Sequence, residues 1–288
     1  MALKFNLKKI LVPTDFSDHS LSALHYAAAM AKHSDAEVIL LHVMENYGDN
    51  VALNQVINLT ATIKKAVNDK LSQIKTDNVN LWGIKIDVRL ETGKIYKVIT
   101  DILAEDGIDL VVMGTHGNPG IDSIEKYILG SNAYRIIRVA ECPVITVRAS
   151  KGEVQFKKIV LPLDTTKQTK GKVASAIKIA KVFGATIHVI SVSTRWDEWR
   201  VGGDKMKKQL EEVTAEIKKA GVTVVSEVIR NEDIADSVIQ YAQKNQADLI
   251  IIMTSAELKL SEFTVGSSAR SIISESLTPV MSIRPGYK

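Results

Sequence analysis

The sequence predicts an α/β protein with two tandem doubly wound domains, each with a mainly parallel five-stranded sheet flanked by helices. Short apolar runs alternate with segments of helical periodicity, which is the pattern of βαβ units around a parallel sheet. The second half then repeats the first. Residues 157–164 (KKIVLPLD) repeat 8–15 (KKILVPTD), and residues 278–284 (TPVMSIR) repeat 142–148 (CPVITVR). A repeat of this length predicts two copies of one domain.

The first half supplies five strands separated by helices. A helix is expected to begin at Ser17 or Asp18, because either side chain can cap its first turn. The predicted strands cover residues 8–12, 38–43, 84–90, 110–113 and 144–147, and the later helices cover 54–73, 95–104 and 132–139. The domains are predicted to span residues 1–149 and 156–288, on either side of a short polar linker.

Composition excludes several classes of protein. The chain has 288 residues, of which 45% are hydrophobic and 24% charged, as in soluble globular proteins. No apolar run approaches the roughly 20 residues that span a bilayer, and the first residues do not resemble a secretory leader, so we expect a cytoplasmic protein. The single cysteine, Cys142, excludes an intramolecular disulfide. The net charge of +4 is scattered rather than gathered in a basic stripe, which disfavours nucleic acid as a partner.

Three segments of the first half are predicted to converge on one crevice. Ligands of open parallel sheets bind beyond the carboxyl ends of the strands. Asp15, Val43 and Gly114 each lie where a predicted strand ends. The sequence therefore places a candidate ligand site at this edge of the first domain.

The segment between residues 111 and 131 (VVMGTHGNPGIDSIEKYILGS) has the composition of a phosphate-binding loop. Gly114, Gly117 and Gly120 follow a buried strand, and glycine lets the backbone turn sharply and approach a ligand. Gly130 and Ser131 then open a helix, whose first N–H groups can bind an anion. Taken alone, however, the glycine spacing favours ordinary turns over a phosphate site.

Together these motifs resemble the universal stress protein family in its tandem two-domain form. The residues that carry the resemblance are VPTDFS after the first strand, LLHV at the end of the second, the glycine segment with GSNAYRII, and CPV before the last strand. The resemblance implies an adenine nucleotide (ATP, ADP or AMP, with or without Mg²⁺) bound through a Gly-x2-Gly-x9-Gly-Ser/Thr loop. By position, Asp15 would contact the ribose or its associated metal, and Val43 would offer main-chain contacts to adenine. The predicted site comprises Pro13, Thr14, Asp15, Val43, Met113, Gly114, Gly117, Gly120, Gly130, Ser131 and Asn132.

The glycine segment fits that loop in two frames. Gly117 and Gly120 followed by nine residues before Gly130 match the full spacing, whereas a frame that starts at Gly114 leaves three extra residues before Gly130. Two acids within the segment, Asp122 and Glu125, are expected to face solvent. If they faced the phosphates they would repel them, unless a divalent ion intervened.

The second half has lost the glycines of this segment. Met253 or Thr254 stands at the position of Gly114, and Ala256 or Glu257 at that of Gly117. Asp164 and the pair Gly266-Ser267 remain. We expect a domain that keeps the fold without the ligand and serves a structural or partner-binding role.

Other residues of chemical interest have ordinary explanations. His42 and His116 lie near the predicted crevice; we expect both to be packed or exposed, the alternative being that one of them pairs with phosphate. We expect Cys142 to be a buried small hydrophobe. No cluster has the ligand spacing of a zinc site, and no catalytic residue is predicted. Trp196 and Trp199 would either cover the second crevice or belong to a partner surface.

The sequence favours a stress-response regulatory protein that binds a nucleotide with little or no turnover, at most weak ATP hydrolysis, and that has an unidentified protein partner. The alternatives are a slow ATPase or nucleotidyl-transfer enzyme, and an interaction protein with no nucleotide. No Lys or Arg lies at the predicted phosphate glycines except Lys126, whose direction the sequence does not give. The lack of a cationic clamp disfavours catalysis.

The last strands of the two domains, residues 144–147 and 280–283, are short, apolar and preceded by proline. An apolar edge strand left bare invites pairing, and single-domain members of the family dimerise through this strand. We therefore predict that the two strands pair antiparallel within the chain and make it an intramolecular pseudo-dimer. Whether two chains then form a further homodimer is left open.

Overall fold

The structure is a computed structural model that describes residues 7–45, 53–115, 129–149, 154–163, 169–194, 203–254 and 265–285. The first half alternates strands and helices as the sequence predicts. Its elements are β1 (Lys9–Pro13), α1 (Asp18–Ser34), β2 (Glu37–Met44), α2 (Leu53–Trp82), β3 (Lys85–Thr92), α3 (Ile95–Glu105), β4 (Leu110–Gly114), α4 (Ser131–Val139) and β5 (Val144–Val147).

The second half repeats the same order of elements. They are β6 (Lys158–Leu163), α5 (Thr169–Phe183), β7 (Thr186–Ser193), α6 (Gly203–Lys219), β8 (Val224–Arg230), α7 (Ile234–Lys244), β9 (Leu249–Met253), α8 (Ser267–Glu275) and β10 (Val280–Ile283). Among the described residues, no helix is long and apolar enough to cross a membrane.

All ten strands form one sheet in the order β3-β2-β1-β4-β5-β10-β9-β6-β7-β8. The five strands of each half are parallel to one another. The ladder between β5 and β10 is antiparallel, with Ile145 opposite Met281 and Val144 opposite Ser282. The predicted pairing of the last strands within the chain is therefore confirmed. Each short apolar strand covers the other's edge, so neither is left at a border of the sheet.

Helices cover both faces of the sheet, which confirms the doubly wound architecture. Side chains of a strand point alternately to opposite faces, and β1 shows this: Ile10 and Val12 join one apolar cluster, and Leu11 joins the other. The first cluster lies under α1, α2, α5 and α6. The second lies under α3, α4, α7 and α8. We call the junction of the two halves at the β5–β10 ladder the seam. Because both clusters contain residues of both halves, the core is continuous across this seam.

Helices of the two halves also meet on both faces at the seam. On one face, the ring of Tyr26 lies 6.0 Å from that of Phe156, and the ring of His33 lies 4.6 Å from that of Phe183. On the other face, the guanidinium of Arg270 lies 5.3 Å from the ring of Tyr134. The halves are thus joined by aromatic contacts as well as by the β5–β10 ladder.

Helix α2 is longer than the sequence predicts, since it continues past residue 73 to Trp82. The extension is anchored by Ile74, Val79 and Trp82, which pack against the first apolar cluster. Because polar residues separate these three apolar residues, the sequence did not indicate that the helix continues. The helix stops at Gly83, whose φ of +65° is the left-handed conformation of a helix C-terminus, and whose N–H donates to the carbonyl of Val79 at 2.9 Å.

Candidate functional site

A cavity of about 260 Å³ opens at the carboxyl ends of β1, β2 and β4, between the first turns of α3 and α4. Its lining residues come from five separate segments of the first half. They are Pro13, Thr14, Asp15, Ser20, Leu41, His42, Val43, Ile95, Ile99, Met113, Gly114, Thr115, Gly130, Ser131, Asn132 and Ala133. Open parallel sheets bind their ligands at this location, beyond the carboxyl ends of the strands.

Nine residues of the predicted site line this one cavity. They are Pro13, Thr14, Asp15, Val43, Met113, Gly114, Gly130, Ser131 and Asn132. Gly117 and Gly120 lie outside the described residues, as do His116, Asp122 and Glu125. The choice between the two frames of the glycine segment falls on the same undescribed stretch.

The turn after β1 is held by a network of hydrogen bonds between residues close in sequence. The hydroxyl of Thr14 lies 3.0 Å from that of Ser20 and accepts a hydrogen bond from the N–H of Phe16. This bond offsets the uncommon left-handed φ of Phe16, +65°. One carboxylate oxygen of Asp15 accepts from the N–H and the hydroxyl of Ser17, at 3.0 and 2.6 Å. Asp15 is thereby fixed at the rim of the cavity.

Ser17 caps α1, as the sequence predicts for one of two candidates. Its hydroxyl accepts a hydrogen bond from the N–H of Ser20 at 3.3 Å. The cap begins the helix directly after the turn that carries Asp15. The helix start and the acid therefore occupy fixed positions relative to each other.

The first turn of α4 is fixed against the end of β4. The N–H of Thr115 donates to the carbonyl of Val147, and the carbonyl of Thr115 accepts from the N–H of Gly130 at 3.0 Å. Gly130 occupies the cap position and offers no side chain to the helix N–H groups. These N–H groups lack partners within the helix, and they carry its partial positive charge. The arrangement presents backbone donors of Ser131 and Asn132 at the cavity, where an anion would be stabilised.

The floor of the cavity is apolar. Ile99 is fully buried, Ile95 lies one helical turn before it, and Leu41 and Val43 contribute from β2. An apolar floor beside backbone N–H donors suits a ligand with a flat ring at one end and a negative charge at the other.

His42 packs beside the cavity as well as lining it. One ring nitrogen, Nδ1, lies 2.8 Å from the carbonyl of Thr14, and a carbonyl only accepts, so this nitrogen carries the proton. The ring stacks on Phe16 with a centroid distance of 4.6 Å. The ammonium of Lys70 in turn lies 4.4 Å from the centroid of the Phe16 ring. The contacts fix the backbone of the turn after β1.

Sequence reasoning missed several lining residues, namely Ser20, Leu41, Ile95, Ile99, Thr115 and Ala133. The spacing of Ile95 and Ile99 in the first turns of a helix that follows a strand was the available signal. From this spacing the sequence predicts only a helix over residues 95–104, without a role at the site. Ser20 carried no such signal, because its contact with Thr14 depends on the turn between them.

Cys142 is buried, and burial raises the pKa of its thiol to about 12. A thiol with this pKa is protonated at neutral pH and is a poor nucleophile. This agrees with its interpretation as a small hydrophobe. Within the described ranges, no group of three His, Cys, Asp or Glu side chains could hold a metal ion.

The second half places a methionine where the first has Gly114. Thr254 donates its N–H to the carbonyl of Ile283 as Thr115 does to Val147. The residue before each threonine is then equivalent: Gly114 pairs with Val147, and Met253 with Ile283. Of the two alternatives the sequence left open, Met253 is therefore the counterpart of Gly114. Asp164, Trp196 and Trp199 lie outside the described residues.

The fold and the cavity define a class of protein, tandem doubly wound α/β domains with a ligand-sized crevice at the strand ends. Comparison with known proteins specifies it further. The model of the universal stress protein family matches residues 6–148 and again residues 155–284. The chain belongs to this family, as the resemblance predicts.

Relatives and solved structures agree with this assignment. A universal stress protein of Methanocaldococcus jannaschii is 34% identical over 148 residues, which are 51% of this chain and 85% of the relative. Universal stress protein A homolog 1 of Coxiella burnetii is 29% identical over 147 residues, 49% of this chain and 95% of the relative. The crystal structure of a universal stress protein from Archaeoglobus fulgidus superposes with a TM-score of 0.72 at 19% identity, over 98% of this chain and 100% of that one. The last likeness concerns the fold of the whole tandem chain.

Proposed function

We propose that this chain is a cytoplasmic regulatory protein of the stress response that binds one adenine nucleotide in its first domain, residues 1–149. The second domain, residues 156–288, has a structural or partner-binding role in this proposal. The observation that carries it is the convergence of nine predicted residues, from segments far apart in the sequence, on one cavity of about 260 Å³.

The shape and polarity of the cavity support a nucleotide in a definite orientation. The adenine ring packs on the apolar floor formed with Ile95 and Ile99, next to the backbone of Val43. The phosphates face the N–H groups that begin α4, where the helix dipole favours negative charge. A Mg²⁺ that accompanies the phosphates would find the carboxylate of Asp15 at the rim.

Turnover is not part of the proposal. Phosphoryl transfer requires a positioned base or water in addition to a metal and a cationic clamp. Among the described lining residues, Asp15 and His42 are the ones with titratable side chains, and both are engaged in hydrogen bonds within the protein. The chain is therefore expected to hold its nucleotide and to release little phosphate.

The test is a calorimetric titration of the full chain with ATP, ADP and AMP in the presence of Mg²⁺, together with thermal melts. We expect one site per chain and a higher Tm, because a ligand that binds only the native state stabilises it by mass action. Gly130→Asp should abolish both signals, since it puts a carboxylate at the phosphate position.

Gly266→Asp is the matched control, because Gly266 caps α8 as Gly130 caps α4. This variant should bind like the parent. Absence of binding by the parent at millimolar nucleotide would refute the proposal. Two equivalent sites per chain would refute the degenerate second domain.

A further inference from the structure

A cationic side chain, that of Arg135, is stacked on an exposed aromatic ring beside the cavity. Its guanidinium lies 4.8 Å from the ring centroid of Tyr96, which is 37% exposed. Within the described part of the chain, no carboxylate lies within ion-pairing distance of Arg135. The edges of the guanidinium thus keep N–H donors for another partner, since stacking uses only its face.

The contact lies at the end of the helices that faces the cavity. Ser131 lines the cavity, and Arg135 lies one turn further along the same face of α4, about 6 Å along the axis. Long helical side chains lean toward the helix N-terminus, so Arg135 leans back toward Ser131. Its stacking partner Tyr96 directly follows Ile95, another lining residue. The arginine therefore links α4 to the first turn of α3, next to residues that line the cavity.

We propose that Arg135, positioned by Tyr96, binds the outer phosphates of the ligand and makes the site selective for nucleotides with a longer phosphate chain. This inference rests on the proposed function, and it adds the class of ligand: di- and triphosphates are preferred to the monophosphate. The phosphate nearest the ribose is bound by the N–H groups that begin α4. A second and a third phosphate extend outward to the guanidinium.

The chemistry of arginine suits this role. A planar guanidinium binds phosphate oxygens through two parallel hydrogen bonds, and both are strengthened by charge. Stacking on Tyr96 holds the group in place before the ligand arrives, so that less side-chain freedom is lost on binding. Sequence reasoning found no cationic clamp here because Arg135 follows the glycine segment rather than belonging to it.

The experiment compares Arg135→Ala with the parent in titrations with AMP, ADP and ATP. A charge-assisted hydrogen bond corresponds to about a tenfold change in Kd or more. We expect Arg135→Ala to weaken ATP binding by about tenfold or more and to change AMP binding by less than about threefold. Arg135→Lys keeps the charge and loses the planar fork, so it should recover part of the ATP affinity.

Two further variants separate this role from a general effect of charge or folding. Arg138→Ala removes the same charge from the next part of α4, where the guanidinium lies 5.7 Å from the ring of Tyr134. It should leave the ratio of AMP to ATP affinity unchanged. Tyr96→Leu should lower ATP affinity selectively, as Arg135→Ala does, because the arginine loses its support.

The outcomes distinguish this inference from the proposed function. If the parent binds no nucleotide, the proposed function itself fails. If the parent binds and Arg135→Ala weakens AMP and ATP equally, or Arg138→Ala has the same effect as Arg135→Ala, selectivity does not come from Arg135. Thermal melts without ligand verify that each variant is folded.

Discussion

The two halves of the chain have the same strand order and differ at the end of the fourth strand of each. In the first half, Gly114 ends β4 and the cavity lies beside it. In the second, Met253 takes the equivalent position, directly before a threonine with the same hydrogen bond to the last strand. The backbone of the strand is thus preserved while a long side chain replaces a hydrogen atom. The two halves therefore share what the fold requires, the strands and their register, and differ in the residue that borders the cavity of the first half.

The seam is the feature that both halves share, and breaking it should have the largest effect. Ile145 is fully buried in β5, which lies between β4 and β10. Proline in a central strand removes a ladder donor and clashes with its neighbours, at a cost of about 3 kcal/mol or more. We expect Ile145→Pro to lower the free energy of unfolding by at least that amount and to expand the chain, as measured by denaturant titration and small-angle scattering.

The equivalent change in the other half tests the symmetry of the seam. Met281 lies opposite Ile145 and is equally buried, so Met281→Pro should cost about as much. A variant that kept the radius and the cooperative melt of the parent would show that this ladder does not hold the halves together.

The difference between the halves is tested by giving the first half the residue of the second. Gly114→Met should fill part of the cavity and remove the stabilisation by ATP that the proposed function predicts, about 2.7 kcal/mol at a ligand concentration one hundred times Kd. The melt without ligand should change much less, because Met253 is accommodated at the same position of the other half. Thermal melts with and without ATP measure both quantities.

The reverse change, Met253→Gly, is the matched control for this substitution. It restores one glycine to a segment that lacks the others, so it should not create a second site. If Gly114→Met binds ATP like the parent, the residue at position 114 does not determine which half binds the nucleotide.

The repeat and the apolar periodicity made most of the fold predictable. The existence of the strands and the pairing of β5 with β10 depend on patterns of whole segments, such as CPVITVR and TPVMSIR, which survive local variation. The site was predictable where backbone chemistry selects the residue, as at Gly130. It was not predictable where a side chain acts from a neighbouring helix. Ile99 lines the cavity from α3, and Arg135 of α4 stacks on Tyr96 because α3 and α4 are packed side by side.

A further difference between the halves is a buried polar pair in the second half. His188 in β7 and Tyr241 in α7 occupy the positions of Ile39 in β2 and Ile102 in α3, so the second half has a hydrogen-bonded pair where the first is apolar. The ring nitrogen Nδ1 of His188 lies 3.1 Å from the hydroxyl of Tyr241. Burial lowers the pKa of His188 below 6.5, with a further contribution from Lys158, and Glu227 opposes the shift.

The sign of the pH effect follows from this pKa. Between the lowered pKa of the native state and 6.5, the unfolded chain binds more protons at this histidine than the native state does, so the native state loses stability as the pH falls through this range. His188→Ile, which installs the residue of the first half, should remove that contribution. We expect the Tm of the variant to fall less than that of the parent between pH 7.5 and pH 5.5.

At pH 7.5 the same variant should differ from the parent by about 1 kcal/mol or less, because it loses one hydrogen bond and gains apolar packing. Equal slopes of Tm against pH for the parent and His188→Ile would contradict this prediction. They would show that the loss of stability at low pH does not arise from the His188–Tyr241 pair.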